Sequence, residues 1–176
     1  MATIKGIDRL FLMRFEGDTT NAFKIAYQTE NSTEESRSYE TTSTKDGSVK
    51  AAGAYEGSHS LSALLEDAVE AKDYVRQIKE KCIRAKTPKR LEVWEIDRTH
   101  LGDDTPKVTG EYSFDVVTSS NISSATEGDA TVEIETEIEE GPVYGVVTVT
   151  PELKTLLLQI NDELEFVQPT TGQAGI

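Results

Sequence analysis

Thr131-Val132-Glu133-Ile134-Glu135-Thr136-Glu137-Ile138-Glu139-Glu140 alternates without a break. Side chains of a β-strand point to opposite sides with a period of two, so this segment predicts a strand with two unlike faces. Val132, Ile134, Thr136 and Ile138 form the packing face. Glu133, Glu135, Glu137 and Glu139 form a file of carboxylates spaced by roughly 7 Å, twice the strand rise. Like charges in a row oppose folding, so the file points to a use other than stability. The simplest such use is to repel another polyanion; a solvated outer face that aids solubility is the plainer alternative.

Turn signals lie on both sides of this strand. Glu127-Gly128-Asp129 predicts a hairpin turn before it, and Gly141-Pro142 predicts another after it, leading into a Val/Thr-rich strand over 143–150. Further back, 90–98 and 107–118 read as strands, with 119–126 continuing the second and 99–106 as a loop. Leu64 to about Lys86 reads as one long helix. Leu64, Leu65, Ala68, Ala71, Val75, Ile78 and Cys82 make a single apolar stripe, and Ser62 is the candidate N-cap. Strands are expected at 8–15 and 22–28. Pro151 opens a short helix over 152–160, and 164–168 is a last strand. The whole is an α+β domain, a mainly antiparallel sheet against one helix. It occupies residues 1–168, with a flexible tail at 169–176.

Between the first strands and the helix, ten of the twenty residues from Thr29 to Ser48 are Ser or Thr. Such a segment has little to bury, yet its Thr and Tyr suit an extended strand. It reads as a mobile surface loop or as a polar arm that orders only against a neighbouring copy. Lys45-Asp46-Gly47 closes it with a turn, and 48–61 is extended, broken by Gly53 and Gly57.

Charge sets the function classes. The chain has 176 residues and a formal net charge of −14. That argues against adhesion to nucleic acid or anionic lipid, because binding phosphates requires Lys and Arg to displace counterions. From Lys72 to Lys107 there are ten bases and seven acids; from Val108 to Leu153 there are ten acids and no base. A surface so divided can attract a copy of itself. The basic side of the helix, Lys72, Arg76, Lys79 and Arg84, is the candidate subunit contact. One cysteine and two histidines leave no internal disulfide and make a metal cage improbable. The start carries no signal-like apolar run and nothing approaches a membrane span, which predicts a soluble protein made in a reducing compartment and no membrane partner. No phosphate loop, nucleophile elbow or zinc spacing is present. His59 and His100 lie in polar sequence and Cys82 on the apolar stripe, so the chain reads as a non-enzyme without a cofactor.

Four short motifs carry a resemblance: Ala26-Tyr27-Gln28-Thr29-Glu30, Ser36-Arg37-Ser38, Thr44-Lys45-Asp46-Gly47 and Gly53-Ala54-Tyr55-Glu56. Together they resemble the N-terminal half of the major tail proteins of long-tailed, non-contractile phages of Gram-positive bacteria. The resemblance implies a β-sandwich or half-barrel with a flanking helix, similar to type VI secretion tube proteins. It implies hexameric rings stacked into a virion tail tube that conducts DNA during ejection without binding it, assembled in the host cytoplasm. It implies tape measure, distal tail and terminator proteins as partners. On this reading Glu133, Glu135, Glu137 and Glu139 line the lumen, and Thr29, Glu34, Arg37, Tyr39, Lys45, Asp46 and Gly47 belong to the inter-ring arm. A secreted or surface-displayed β-rich binding module is the alternative.

Overall fold

In the computed structural model, the structure describes residues 9–18, 28–65, 69–97, 99, 107–124 and 126–148. The expected elements at 22–27, 152–160 and 164–168, and the tail at 169–176, lie outside these residues. Among these residues six strands form one antiparallel sheet: β1 (Arg9–Phe15), β2 (Gln28–Thr44), β3 (Gly47–Leu64), β4 (Leu91–Asp97), β5 (Lys107–Ser123) and β6 (Thr131–Thr148), in the spatial order β1-β4-β5-β6-β3-β2. Between β3 and β4 lie α1 (Val69–Ile78) and a π-helical continuation, Lys79–Arg84.

The sheet curls until its two edge strands approach. The Gln28 carboxamide accepts from Phe11 N–H at 3.0 Å and donates to Phe11 C=O at 2.8 Å, as a peptide group of a neighbouring strand would. Asn31 Nδ2 donates to Arg9 C=O at 3.0 Å. Curling lays the root of β2 and β3 over β1 and β4, and the core lies between them. Phe11, Met13 and Phe15 from β1 meet Leu61 and Ala63 from β3, Leu91 and Val93 from β4, and Val132 and Ile134 from β6. Val75, Ile78 and Cys82 bring the helix onto the same face, at the three- and four-residue steps of the apolar stripe. Burial pushes the Cys82 thiol up to about 12, as expected of a small core residue.

Three expectations need correction. The helix does not begin near Leu64: Ser62 and Leu64 are still β3, paired with Glu133 and Thr131, and helix is first seen at Val69. Leu61, Ala63 and Leu65 step by two, the period of a strand, and this outweighs the three- and four-residue steps that follow from Leu64. The segment 29–44 is a strand, zipped to β3 from Gln28↔Ala63 to Thr44↔Gly47. Finally, Gly141-Pro142 does not end a strand. It is a bulge inside β6: Tyr112 pairs with Val143 and Phe114 with Glu140, so β6 carries one extra residue there. Gly141 has φ +104°, and a Cβ there would stand 2.9 Å from Tyr112 O. Only glycine fits.

Candidate functional site: an acidic sheet face and a projecting ribbon

The alternation over 131–138 is realised as a division between inside and outside. Val132, Ile134 and Thr136 are buried, while Glu133, Glu135 and Glu137 are exposed on the face away from the helix. Their neighbours carry no positive charge: Ser62, Ser60 and Ser58 on β3 and Asn121, Ser119 and Val116 on β5. Ser119 Oγ donates to Glu135 Oε2 at 3.2 Å. Among the described residues the row is therefore an uncompensated anionic stripe, flanked by small polar side chains and by Val116.

Glu139 departs from the row. Asp115 pairs with Ile138 and Phe114 with Glu140, so Glu139 is the extra residue of a second bulge. It turns to Arg90, whose Nη1 donates to Glu139 at 2.9 Å and to Glu140 at 2.6 Å, while Nε and Nη2 hold Glu16 at 3.0 and 2.5 Å. These hydrogen bonds, led by Glu16, raise Arg90 above its usual range, and Arg90 holds the Glu16 carboxyl below its own. Arg90 also lies 4.8 Å over the Phe114 ring. Beyond it, Phe114, Tyr112 and Trp94 stack in turn at 5.4 and 4.9 Å, and Arg14 closes the series over Trp94. Arg14 bonds Glu92, which also accepts from the Tyr112 hydroxyl at 2.7 Å. The β4–β5 half of this face is charge-balanced; the β3–β6 half is not.

The arm is a two-stranded ribbon. β3 pairs with β6 only from Ser58 to Leu64, so residues 35–57 of the β2–β3 hairpin leave the sheet. Every residue from Glu34 to Ala52 is exposed. Lys45 and Asp46 make the tip, with Thr44 Oγ1 donating to Gly47 C=O at 2.7 Å and Gly47 at φ +135°. Arg37 faces Tyr55, Tyr39 faces Ala52, and Glu34 faces Ser58 at the root. Thr29 stays with the sheet, donating to Ser62 C=O at 3.2 Å. The root borders a cleft of about 770 Å³, lined by Glu34, Glu35, Ser36, Tyr55, Glu56, Gly57, Ser58, Glu137 and Ile138. Tyr55 donates to Glu35 at 2.8 Å, and burial followed by that bond pushes its phenol up to about 12.

Of the four helix bases, the side chains of Arg76, Lys79 and Arg84 are described. Arg76 is engaged within the helix by Asp73 and by Glu80, the latter at 2.8 Å. Lys79 is half-buried and Arg84 is exposed. Lys72 lies in α1.

One constellation escaped the sequence reading. His59 is buried, its Nδ1 2.6 Å from Asp115 Oδ2; Thr136 and Ser113 donate to the same carboxyl at 2.5 and 2.6 Å. Asp115 is fully buried and ties β3, β5 and β6 together on the helix side. A polar group out of water needs such partners. The available signal was parity, since His59 falls in step with Leu61 and Ala63, and Asp115 with Ser113 and Val117. Among the described residues no group of His, Cys, Asp and Glu is placed to hold a metal ion, and no helix is long and apolar enough to cross a membrane.

Known proteins share this fold. No curated protein sequence matches the chain. Among solved structures, the tail tube of phage SPP1 is similar over 90% of this chain and 87% of its own, with TM-score 0.67 at 13% identity. The tail of an empty gene transfer agent particle, refined with C6 symmetry, is similar over 83% of this chain and 98% of its own, with TM-score 0.54 at 15% identity. The cap that terminates the tube of the anti-feeding prophage gives 0.55 at 12% identity, over 85% and 93%. At these identities the likeness establishes the fold, a tube-forming β-fold with a flanking helix. The profile of phage tail tube proteins matches residues 3–144. The chain belongs to the phage tail tube protein family and is a structural protein of the virion tail.

Proposed function

We propose that copies of this chain close into hexameric rings that stack into a tube, with the β3–β6 half of the outer sheet face turned to the lumen. Glu133, Glu135 and Glu137 then line a conduit for DNA. Glu139, held by Arg90, belongs to the wall. The observation that carries this reading is the exposed, uncompensated carboxylate row on the face opposite the helix. A polyanion passing such a face meets no site at which counterions can be released, so transit is not slowed by adhesion summed over many phosphates. The sixfold tail among the similar structures supports the ring. Tape measure, distal tail and terminator proteins are the partners such a tube needs, with assembly in the bacterial cytoplasm. Its role is mechanical and calls for no catalytic residue or cofactor.

A cryo-EM reconstruction of tails containing this chain tests the reading. It expects a hollow tube with these three glutamates within reach of the bore and α1 on the outer surface. A tube with α1 facing the bore overturns the orientation.

A further inference from the structure

Between the pairs Asp115↔Ile138 and Tyr112↔Val143, β6 carries two residues more than β5. Each surplus residue is a break in register. The break at Gly141-Pro142 has a backbone cause, because glycine alone fits at φ +104° and proline has no N–H to give the ladder. The break at Glu139 has none. Ile138-Glu139-Glu140 contains no glycine or proline, and the alternation that starts at Val132 would by itself carry Glu139 outward in line with Glu137. What marks this place is a side chain from another strand.

Arg90 stands just before β4 and reaches across β5 to β6. Glu16 fixes one edge of its guanidinium by taking Nε and Nη2, and the Glu16 N–H donates to Arg90 C=O at 3.0 Å. The Phe114 ring supports the group from β5. This leaves Nη1 for β6, where it donates to both Glu139 and Glu140. A regular strand sends consecutive side chains to opposite faces, so a bulged strand lets one nitrogen hold both carboxylates. Resting on the tube reading above, we propose that Arg90 is a positioning residue of the tube wall: its grip on Glu139 and Glu140 fixes the register break in β6, so that the lining ends at Glu137 and the rest of β6 leaves at the angle that ring closure requires. A bulge bends and twists its strand. In a closed barrel, strand tilt and stagger are tied to the circumference. A break displaced by one residue is repeated in every copy around the ring, and the ring then fails to close.

The test is a mutant cycle on the full chain: Arg90→Gln, Glu139→Gln with Glu140→Gln, and all three changes together. Backbone NOEs of the monomer report the register, with Phe114 opposite residue 140 in the wild type. Each variant is expected to lose that contact and to speed amide exchange over 138–143 at least ~tenfold. The yield of sedimentable tubes should fall by a similar factor. The three variants should agree within about twofold, because each removes the same grip. Should Arg90→Gln fail to fold, the exposed glutamate pair decides by the same readouts. Effects that add, or a silent glutamate pair, reduce Arg90 to packing on Phe114 and overturn the proposal. A break that stays at Glu139 in the variants, or one that moves while tubes form at wild-type yield, overturns it too. The lumen reading survives each of these results. Wild-type tails with no tube made of this chain overturn both.

Discussion

Replacing Glu133, Glu135 and Glu137 together by lysine inverts the proposed lining and leaves the core side of β6 untouched. Each reversal adds two positive units, so the chain moves from −14 to −8. All three side chains are exposed with small polar neighbours, so the fold should tolerate the change. The salt law for duplex DNA gives a factor of roughly eight in affinity per lysine–phosphate contact at 0.1 M monovalent salt. Three contacts from one subunit then favour retention by about 500-fold, and raising the salt to 0.5 M removes roughly 80-fold of it. The assay follows DNA release from triggered particles by dye fluorescence at both salts. Wild type should show little salt dependence. The lysine variant should release slowly or incompletely at 0.1 M and recover at 0.5 M, and the triple glutamine variant should fall between. Lysine tubes that assemble and release DNA like wild type at 0.1 M would refute the assignment of this face to the lumen.

Asp115→Ala removes the acceptor shared by His59, Ser113 and Thr136; leaving buried donors unsatisfied costs about 1–3 kcal/mol each, together a fall of roughly 10 °C in Tm for a chain of this size, read by thermal melting of the monomer. Tyr55 provides a titration with a defined sign. Its phenol is pushed up to about 12 in the folded chain, so its stabilisation is complete below the ordinary value near 10 and is lost as pH rises through 12; Glu35→Gln should lower the midpoint seen by ultraviolet absorbance. Cys82, with its thiol pushed up to about 12 by burial, should react with an aromatic disulfide at pH 8 only after denaturant is added. Rapid labelling of the native chain would contradict its place in the core.

Parity made the centre of the fold legible. Alternation over 131–138 gave a strand, its buried side and its acidic side, because a one-residue slip would turn Val132 and Ile134 out to water. The three- and four-residue steps of Val75, Ile78 and Cys82 likewise gave the helix face. The ribbon was legible only in part: the Thr and Tyr of Thr29 to Ser48 suit an extended strand, but the segment lacks an apolar face, and pairing with β3 decides. Gly141-Pro142 misled because the same pair that punctuates turns also makes bulges, and only the β5 register distinguishes them. In the candidate site, three of the four glutamates stand in the expected row. The departure of Glu139 follows from a register shift and from Arg90, forty-nine residues away, and no local pattern announces either. Asp115 and His59 are fifty-six apart, so their pairing is a property of the sheet alone.

The Gln28 carboxamide at Phe11 changes what β1 offers to its surroundings. Edge strands invite strangers because their peptide groups lie idle; here one side chain occupies both groups of Phe11, and Asn31 takes the carbonyl of Arg9. A newcomer would have to displace these amides before its first ladder bond could form. Promiscuous pairing is thereby discouraged at β1.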